Sequence, residues 1–303
     1  MGARRTRAAL LLLALAPAVS ACDGCGERPG SSAAETEEVE PEATAEAPPG
    51  PRGILRGVVR LPEGAELPAY PRAMVEGGAH ADRPAHCPPP QRGELEPVSL
   101  ADTGRGLGRV MVTVTSPERD AFYAALGEWE PARRELTIRR CRLDPPVVSA
   151  TQGDVLVLAN DDDYPFLPRM GEASFMQVLM KGEPREIPLE RAGVQAVQCA
   201  FAAPCGRADV IVGYHPLHTL TEADGAFALE GVPRDVPIVV HAWHPLFQEA
   251  TAEVRFGEDG AAEVELALTP RELPEPAEAE GGEGEGEEET PEGPPEDQPG
   301  VLF

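Results

Sequence analysis

Two cysteines stand six positions apart in VQCAFAAPCG, residues 197–206, with little but small apolar residues between them. Two nearby cysteines can form a disulfide, remain as buried thiols, or bind a soft metal through their thiolates. The presumed folded part also holds two more cysteines, so three pairings are available to Cys87, Cys141, Cys199 and Cys205. Proximity along the chain favours Cys199 with Cys205, and the residue types alone leave the other outcomes open.

Strand-like segments surround this loop and must position it. Apolar residues recur at period two or in short continuous runs, and clusters of Pro, Gly and Asp separate the runs. This pattern predicts an all-β sandwich, with one short helix at 122–129. The strand-like runs are 54–61, 110–115, 136–141, 155–160 and 210–214.

A second group of strands begins near residue 215. An Asp-Gly turn separates 219–221 from 227–229, which is a strong hairpin signal. A buried strand is expected at 238–243, and a second hairpin follows across FGEDGAA. One face of this hairpin is apolar, formed by Val254, Phe256, Val264, Leu266 and Leu268. We therefore expect a domain over 53–214 and a small antiparallel β module over 215–270.

The N-terminus has the parts of an export signal, predicted to cover residues 1–21. Basic residues precede an apolar run of about half the roughly 20 residues needed to cross a bilayer. The quartet Val-Ser-Ala-Cys that ends at Cys22 resembles the bacterial lipobox. That resemblance implies acylation of Cys22 and a protein held by lipid on a membrane of the bacterial cell envelope, facing the periplasm or the cell surface. An ordinary soluble secreted protein is the alternative.

Acidic, Pro-rich segments flank the predicted folded part. Residues 27–51 hold seven acids and one Arg, and residues 271–303 hold twelve acids and one Arg, together −17 of the formal −26. Such compositions cannot bury enough apolar surface to offset the entropy of ordering. We expect a disordered tether over 22–52 and a disordered tail over 271–303. This charge makes nucleic acid an improbable class of partner.

A particular order of motifs resembles a known family. The order begins with RGVVRL. A cysteine after a Pro-rich loop, a Val-rich strand and a second cysteine follow in turn. The last three motifs are GDVLVLANDD, the C-x5-C loop and HPLHTLTEADGAFALEGVP. This order resembles exported plastocyanin-like (cupredoxin) proteins fused to a carboxypeptidase-regulatory-like module, over about residues 53–250. The resemblance implies a cupredoxin-like Greek-key sandwich followed by that small module.

The resemblance also indicates where copper ligands would stand. A type 1 site needs one thiolate, two imidazoles and a weak thioether. The first His position corresponds to Phe166, and the loop positions correspond to Cys199, Ala202 and Cys205. Phe and Ala offer no lone pair, so we expect no type 1 copper and no other cofactor. A Cys199–Cys205 disulfide would close the loop instead, and Cys87 with Cys141 would form the other bridge.

Two His-x-x-His spacings could suggest a metal site. They are His215 with His218 and His241 with His244. Residues three apart on a strand point to opposite faces, so neither pair chelates a metal unless a turn intervenes. In the resembled family the His-Pro and Trp-His pairs recur beside the regulatory-like hairpins, which favours packing and hydrogen bonding between the modules.

Two further groups have a chemical and a structural interpretation. The acids at 161–163 could bind a hard cation, although a turn at a strand end fits their consecutive spacing better. Met170, Met176 and Met180 could capture Cu(I) through thioethers. Buried gap-filling is the commoner use of methionine, and we expect that role here.

No catalytic motif of the G-x-S-x-G, H-E-x-x-H or phosphate-loop type occurs in the sequence. The sequence therefore predicts a non-enzymatic structural or binding module at the envelope, with an envelope protein or ligand as its unidentified partner. The alternative is a copper-handling or thiol-redox protein that uses Cys199 and Cys205. A third interpretation, carbohydrate or peptide binding, is disfavoured for sugars by low aromatic content, with Trp129 and Trp243 the two tryptophans.

Overall fold

The computed structural model describes residues 50–76, 84–171, 175–200 and 203–272. The predicted signal, Cys22, most of the tether, most of the tail and Ala202 lie outside these ranges. Within them the protein is all-β, as predicted. The strands are β1 Arg52–Arg60, β2 Ser99–Leu100, β3 Leu107–Gly108, β4 Met111–Thr115, β5 Arg133–Arg139, β6 Arg142–Asp144, β7 Val147–Thr151, β8 Val155–Asn160, β9 Pro168–Met170, β10 Phe175–Met176, β11 Arg185–Pro188, β12 Gly193–Cys199, β13 Arg207–Gly213, β14 His218–Leu220, β15 Ala226–Pro233, β16 Ile238–Trp243, β17 Ala250–Val254 and β18 Ala261–Ala267.

Three short helices accompany the strands in the described part of the chain. They are α1 Arg72–Glu76, α2 Arg92–Leu95 and α3 Arg119–Leu126. The helix expected at 122–129 therefore forms a few residues earlier, and Gly127, with φ 69°, follows its end. None of the three is long and apolar enough to cross a bilayer.

Two facing sheets form a sandwich from residues 133–213, which we call the loop sandwich. One sheet has the order β11-β8-β5-β6 and the other β10-β9-β12-β13-β7. Strand β8 alternates between buried and half-buried residues, so one face of it enters the core. Strand β13 lies between β12 and the parallel strand β7 and is buried along nearly its whole length. One apolar core fills the space between the sheets.

A second core, in what we call the composite lobe, combines segments distant in sequence. Its sheets have the orders β15-β1-β18 and β14-β4-β16-β17. Strand β1 is antiparallel to β15 and parallel to β18, and β4 is antiparallel to both β14 and β16. The predicted division between residues 214 and 215 therefore differs from the strand pairing, because β1 and β4 belong with the later strands. An alternating apolar pattern predicts a strand without specifying its partner.

The two predicted hairpin turns form, but their strands separate into different sheets. At the first turn Glu222 N–H donates to the carbonyl of Ala226 (2.8 Å), while β14 pairs with β4 and β15 pairs with β1. Gly225 has φ +85°, and a side chain there would meet the carbonyl of Val59 at 2.5 Å. The glycine thus lets β1 pass close to the turn. At the second turn β17 pairs with β16 and β18 with β1, which corrects the simple hairpin expectation.

Candidate functional site

The C-x5-C loop joins β12 to β13 in the loop sandwich. Cys199 ends β12, and Cys205 lies two residues before β13. Their sulfur atoms form a disulfide with a Cα–Cα distance of 5.4 Å, and the residues are only 4% and 0% exposed. The carbonyl of Cys205 accepts a hydrogen bond from the N–H of Leu143 (2.8 Å), which ties the loop to β6. The sulfur of Cys199 is therefore bonded to sulfur and buried.

Phe166 lies beside this loop, where the resemblance placed the first His ligand. It is 2% exposed, and its backbone exchanges two hydrogen bonds with Leu179. The next residue, Leu167, accepts a hydrogen bond from the N–H of Ala200 (2.8 Å), directly after Cys199. The segment after Phe166 thus runs alongside the end of β12.

The described residues at this position do not fit a type 1 copper centre. The ring of Phe166 has no lone pair to donate, and Cys199 has no thiolate while it is joined to Cys205. Ala202, the other position that the resemblance assigns to a copper ligand, lies outside the described residues. The chemistry of this loop in the present structure is that of a covalent cross-link.

Parts of several solved structures match. A Cu-containing nitrite reductase from Thermus scotoductus SA-01 matches with a TM-score of 0.25 and 18% identity, over 30% of this chain and 24% of the reductase chain. A purple cupredoxin from Nitrosopumilus maritimus matches with a TM-score of 0.24 and 19% identity, over 27% of this chain and 99% of that chain. A reduced amicyanin variant matches with a TM-score of 0.25 and 19% identity, over 33% of this chain and 98% of the amicyanin chain.

About a third of this chain is thus similar to cupredoxin structures, and the chain spans about a quarter of the reductase. Likenesses this weak carry no conclusion about copper, electron transfer or catalysis here. No protein-family model and no curated protein matches the sequence.

The second disulfide joins the Pro-rich loop to the β5–β6 turn. Cys87 and Cys141 are bonded with a Cα–Cα distance of 5.4 Å and are both buried. His86, which is not among the sequence-predicted site residues, has an exposed side chain, and its ring lies 4.8 Å from that of Tyr164. A ring nitrogen of His86 and the two sulfurs lie within 4.8 Å of one another. His86 and Cys87 are adjacent in the sequence, and this adjacency was the signal that could have indicated the cluster of His86 with the two cysteines.

The His215-x-x-His218 pair packs between strands. The Nδ1 atom of His215 accepts a hydrogen bond from the N–H of Leu217 (3.2 Å), and Nε2 of His218 lies 2.9 Å from the hydroxyl of Thr151. Thr151 ends β7 of the loop sandwich, so this contact links the two lobes, as expected for packing histidines. Burial lowers the pKa of His215 and the pKa of His218 to about 4 each.

The other histidine pair divides between surface and core. His244 is fully buried, its Nδ1 accepts from the N–H of Leu246 (3.2 Å), and burial lowers its pKa to about 3. His241 lies nearer the surface, with Nε2 2.7 Å from the hydroxyl of Thr115 and Nδ1 2.6 Å from a carboxylate oxygen of Glu249. This polar relay crosses β4 and β16, which sequence spacing alone did not indicate. The relay fixes the ring of His241 against the sheet.

The consecutive acids at 161–163 follow the end of β8 and take separate partners. Asp161 pairs with Arg139 (2.7 Å) and Asp163 with Lys181 (2.7 Å). Asp162 accepts the backbone N–H groups of Arg140 (2.8 Å) and Cys141 (2.7 Å). The three carboxylates therefore diverge, as the strand-end interpretation expected.

The methionine expectation is only partly correct. Met170 is buried in the core of the loop sandwich, in the predicted gap-filling role. Met176 and Met180 are 51% and 45% exposed, so that role is wrong for them. Met176 lies in β10, the edge strand of the five-stranded sheet, and Met180 follows the bridge between Phe166 and Leu179.

Tyr70, Arg207 and Asp209 form a buried charged cluster that was not predicted from the sequence. The hydroxyl of Tyr70 donates to Asp209 (2.6 Å), and Arg207 donates to the other oxygen of Asp209 from two nitrogens (3.1 and 2.7 Å). The guanidinium also lies over the ring of Tyr70, 4.4 Å from its centre. Burial raises the pKa of Tyr70, and the charge of Asp209 acts in the same direction. Alternation of Arg207 and Asp209 on β13 was the available signal, but Tyr70 lies more than a hundred residues away.

Proposed function

We propose that this protein is a non-enzymatic structural and binding module of the bacterial cell envelope, built on a cupredoxin-like scaffold that has lost its type 1 copper ligands. The observation that carries the proposal is the buried disulfide at the ligand loop. A disulfide uses the sulfur that a copper centre would need as thiolate, and it closes the loop covalently in place of a metal. Phe166 supports the same conclusion, because its buried ring supplies packing and no donor atom.

The composite lobe supports the second part of the proposed architecture. Its later strands correspond to the motif that resembles a carboxypeptidase-regulatory-like module, with β1 and β4 added from the earlier part of the chain. His218 of that motif contacts Thr151 at the end of β7 in the loop sandwich. We therefore propose that the two lobes act as one rigid envelope module rather than as an electron carrier.

A copper titration tests the proposal. Purified protein is titrated with Cu(II) before and after treatment with a thiol reductant, and the visible spectrum is recorded. We expect no intense thiolate-to-copper charge-transfer band in either state, because Phe166 offers no imidazole even when Cys199 is reduced. A Cys205→Ala variant, which leaves Cys199 as a free thiol, should also lack this band. A strong band in the untreated protein refutes the lost-site proposal.

Thiol counting separates this proposal from a copper-handling or thiol-redox protein. A chain carrying Cys22→Ser and Cys25→Ser is unfolded without reductant, and its reactive thiols are counted. The proposal expects no reactive thiols from the remaining four cysteines. The alternative expects two, from Cys199 and Cys205.

Membrane attachment through Cys22 is part of the same proposal. Cells expressing the chain are labelled with a fatty-acid precursor, and incorporation into the protein is measured. Cys22→Ser should abolish the label, whereas the neighbouring Cys25→Ser should keep it. The anchor at Cys22 is contradicted if both variants are labelled equally. It is also contradicted if neither the variants nor the parent chain is labelled.

A further inference from the structure

Five arginines from distant segments line one cavity of about 680 Å³ beside the C-x5-C loop. They come from the segment before β4, from the β5–β6 turn and from the start of β13, and Gly206, next to Cys205, also lines the cavity. The chain as a whole has a formal net charge of −26, so a concentration of positive charge is unexpected. The five are Arg109, Arg139, Arg140, Arg142 and Arg207.

Arg207 and Arg139 each have a carboxylate partner among the described residues. Arg207 is paired with buried Asp209, and Arg139 with Asp161 at 2.7 Å and Asp144 at 3.7 Å. These pairs hold the walls of the cavity in place. Asp144 also lines it.

Arg109, Arg140 and Arg142 line the other walls of the cavity. Arg109 donates to the carbonyl of Pro97, and Arg142 donates to the carbonyls of Pro88 (2.8 Å) and Cys141 (2.9 Å). Burial lowers the pKa of Arg109, which shows that its charge is partly withdrawn from water. The Arg140 side chain is exposed. For Arg109 and Arg140, no carboxylate lies at hydrogen-bonding distance within the part of the chain that the structure describes.

The turn that presents three of the arginines has an unusual backbone. Strands β5 and β6 are joined by Arg140 and Cys141, which both have left-handed φ angles, 52° and 58°. Hairpin turns of this geometry favour Asn or Gly, because the Cβ of other residues crowds the backbone in the left-handed region. Asp162 accepts both backbone N–H groups, and the disulfide to Cys87 fixes the second residue. A strained turn retained under two restraints indicates a role for the residue at its tip.

We propose that this arginine-lined cavity binds a compact oxyanion with several charged oxygens, of the phosphate type. A planar guanidinium matches the oxygens of phosphate in pairs, and five residues that carry this group line one cavity. The phosphate comes from a small soluble molecule or from the headgroup of a membrane lipid. The inference rests on the binding role proposed above and names its ligand class.

The test uses the full chain carrying Cys22→Ser, with inorganic pyrophosphate as the soluble probe. Binding is measured by calorimetry at low ionic strength. Arg140→Asn suits the left-handed turn and should weaken binding about tenfold or more, because it removes a charged hydrogen-bond donor. Arg56→Asn removes an exposed arginine on β1, outside the cavity, and should leave the affinity unchanged within about twofold. Circular dichroism and thermal unfolding establish that both variants fold.

A second arm distinguishes the sources of the phosphate. Sedimentation with phosphatidylglycerol vesicles is compared with sedimentation with phosphatidylcholine vesicles. Pyrophosphate binding that requires Arg140 supports a soluble ligand, and Arg140-dependent binding to the anionic vesicles alone supports a lipid headgroup. Binding to neither probe, or equal losses in Arg140→Asn and Arg56→Asn, overturns the inference. A visible copper band would refute the lost-site proposal and leave these outcomes unaffected, so the two fail separately.

Discussion

Acidification should destabilise this protein because three of its histidines are held neutral in the fold. Burial lowers the pKa of His215 and the pKa of His218 from 6.5 to about 4, and that of His244 to about 3. The unfolded chain therefore binds these protons more readily than the folded chain. The free energy of unfolding should fall as the pH drops through about 6.5, and each loss is complete when the folded imidazole itself protonates.

The magnitude follows from the same values. At about pH 5 the unfolded imidazoles are roughly 1.5 pH units below their pKa and almost fully protonated, while the folded ones remain neutral. One pKa unit corresponds to about 1.4 kcal/mol, so each histidine should cost about 2 kcal/mol at this pH. Together the three should remove about 6 kcal/mol between about pH 7.5 and pH 5, which is similar to the whole stability of a typical domain.

Urea unfolding followed by tryptophan fluorescence measures this loss at a series of pH values. His244→Asn keeps an acceptor for the N–H of Leu246 and removes the titrating ring, so it should reduce the pH-dependent loss by about a third. The exposed His86 provides the matched control, and His86→Asn should leave the loss unchanged. Hydrogen bonds to Asp154 from Thr151, Ala132 and Arg134 outweigh burial and lower the pKa of its carboxyl, so its contribution is lost only below this window.

A stability that stays constant between about pH 7.5 and pH 5 would refute the reasoning. The same holds if His244→Asn and His86→Asn change the pH dependence equally, since only the first of these side chains is buried.

Three further variants test the described contacts. Replacing Cys87 and Cys141 together by Ala opens a loop with a sequence separation of 54. The free energy of unfolding, measured in urea, should fall by about 4 kcal/mol. An unchanged free energy would contradict a cross-link that restrains the unfolded chain. Asp209→Asn leaves the buried charge of Arg207 without its counter-charge and should cost about 3–5 kcal/mol in the same assay, and a neutral effect would show that the pair is not buried. Gly225→Ala places a Cβ within 2.5 Å of a backbone oxygen at φ +85°, and it should cost about 2 kcal/mol or more in thermal unfolding; a fully stable variant would contradict the close strand crossing.

Much of the local structure was predictable because it depends on short-range patterns. The alternating runs predicted most of the main strands, and the Asp-Gly turn formed at the expected position with Gly225 in the left-handed conformation. The two disulfides pair as the resemblance implied. The exposed Met176 was predicted wrongly, because the sequence does not show which strand lies at the edge of a sheet.

Partner choice between strands was not predictable from the same patterns. Strand β1 fills the space between β15 and β18, more than 160 residues further along the chain. Any half-buried strand with period-two apolar residues satisfies the same local rule, so only the closure of the whole core decides which strands meet. The Tyr70–Asp209 contact and the relay through His241 depend on that closure in the same way.

The sequence by itself determined the chemistry that each side chain brings: Phe166 has no donor atom for a metal, and the acids of the terminal segments give the chain its charge. The tertiary structure decided where charge and burial concentrate. It brought Arg109, Arg140 and Arg207 to one cavity and buried His244 in its neutral form. The physical reason is that side-chain chemistry is a property of one residue, whereas desolvation and electrostatic fields depend on every segment that packs nearby.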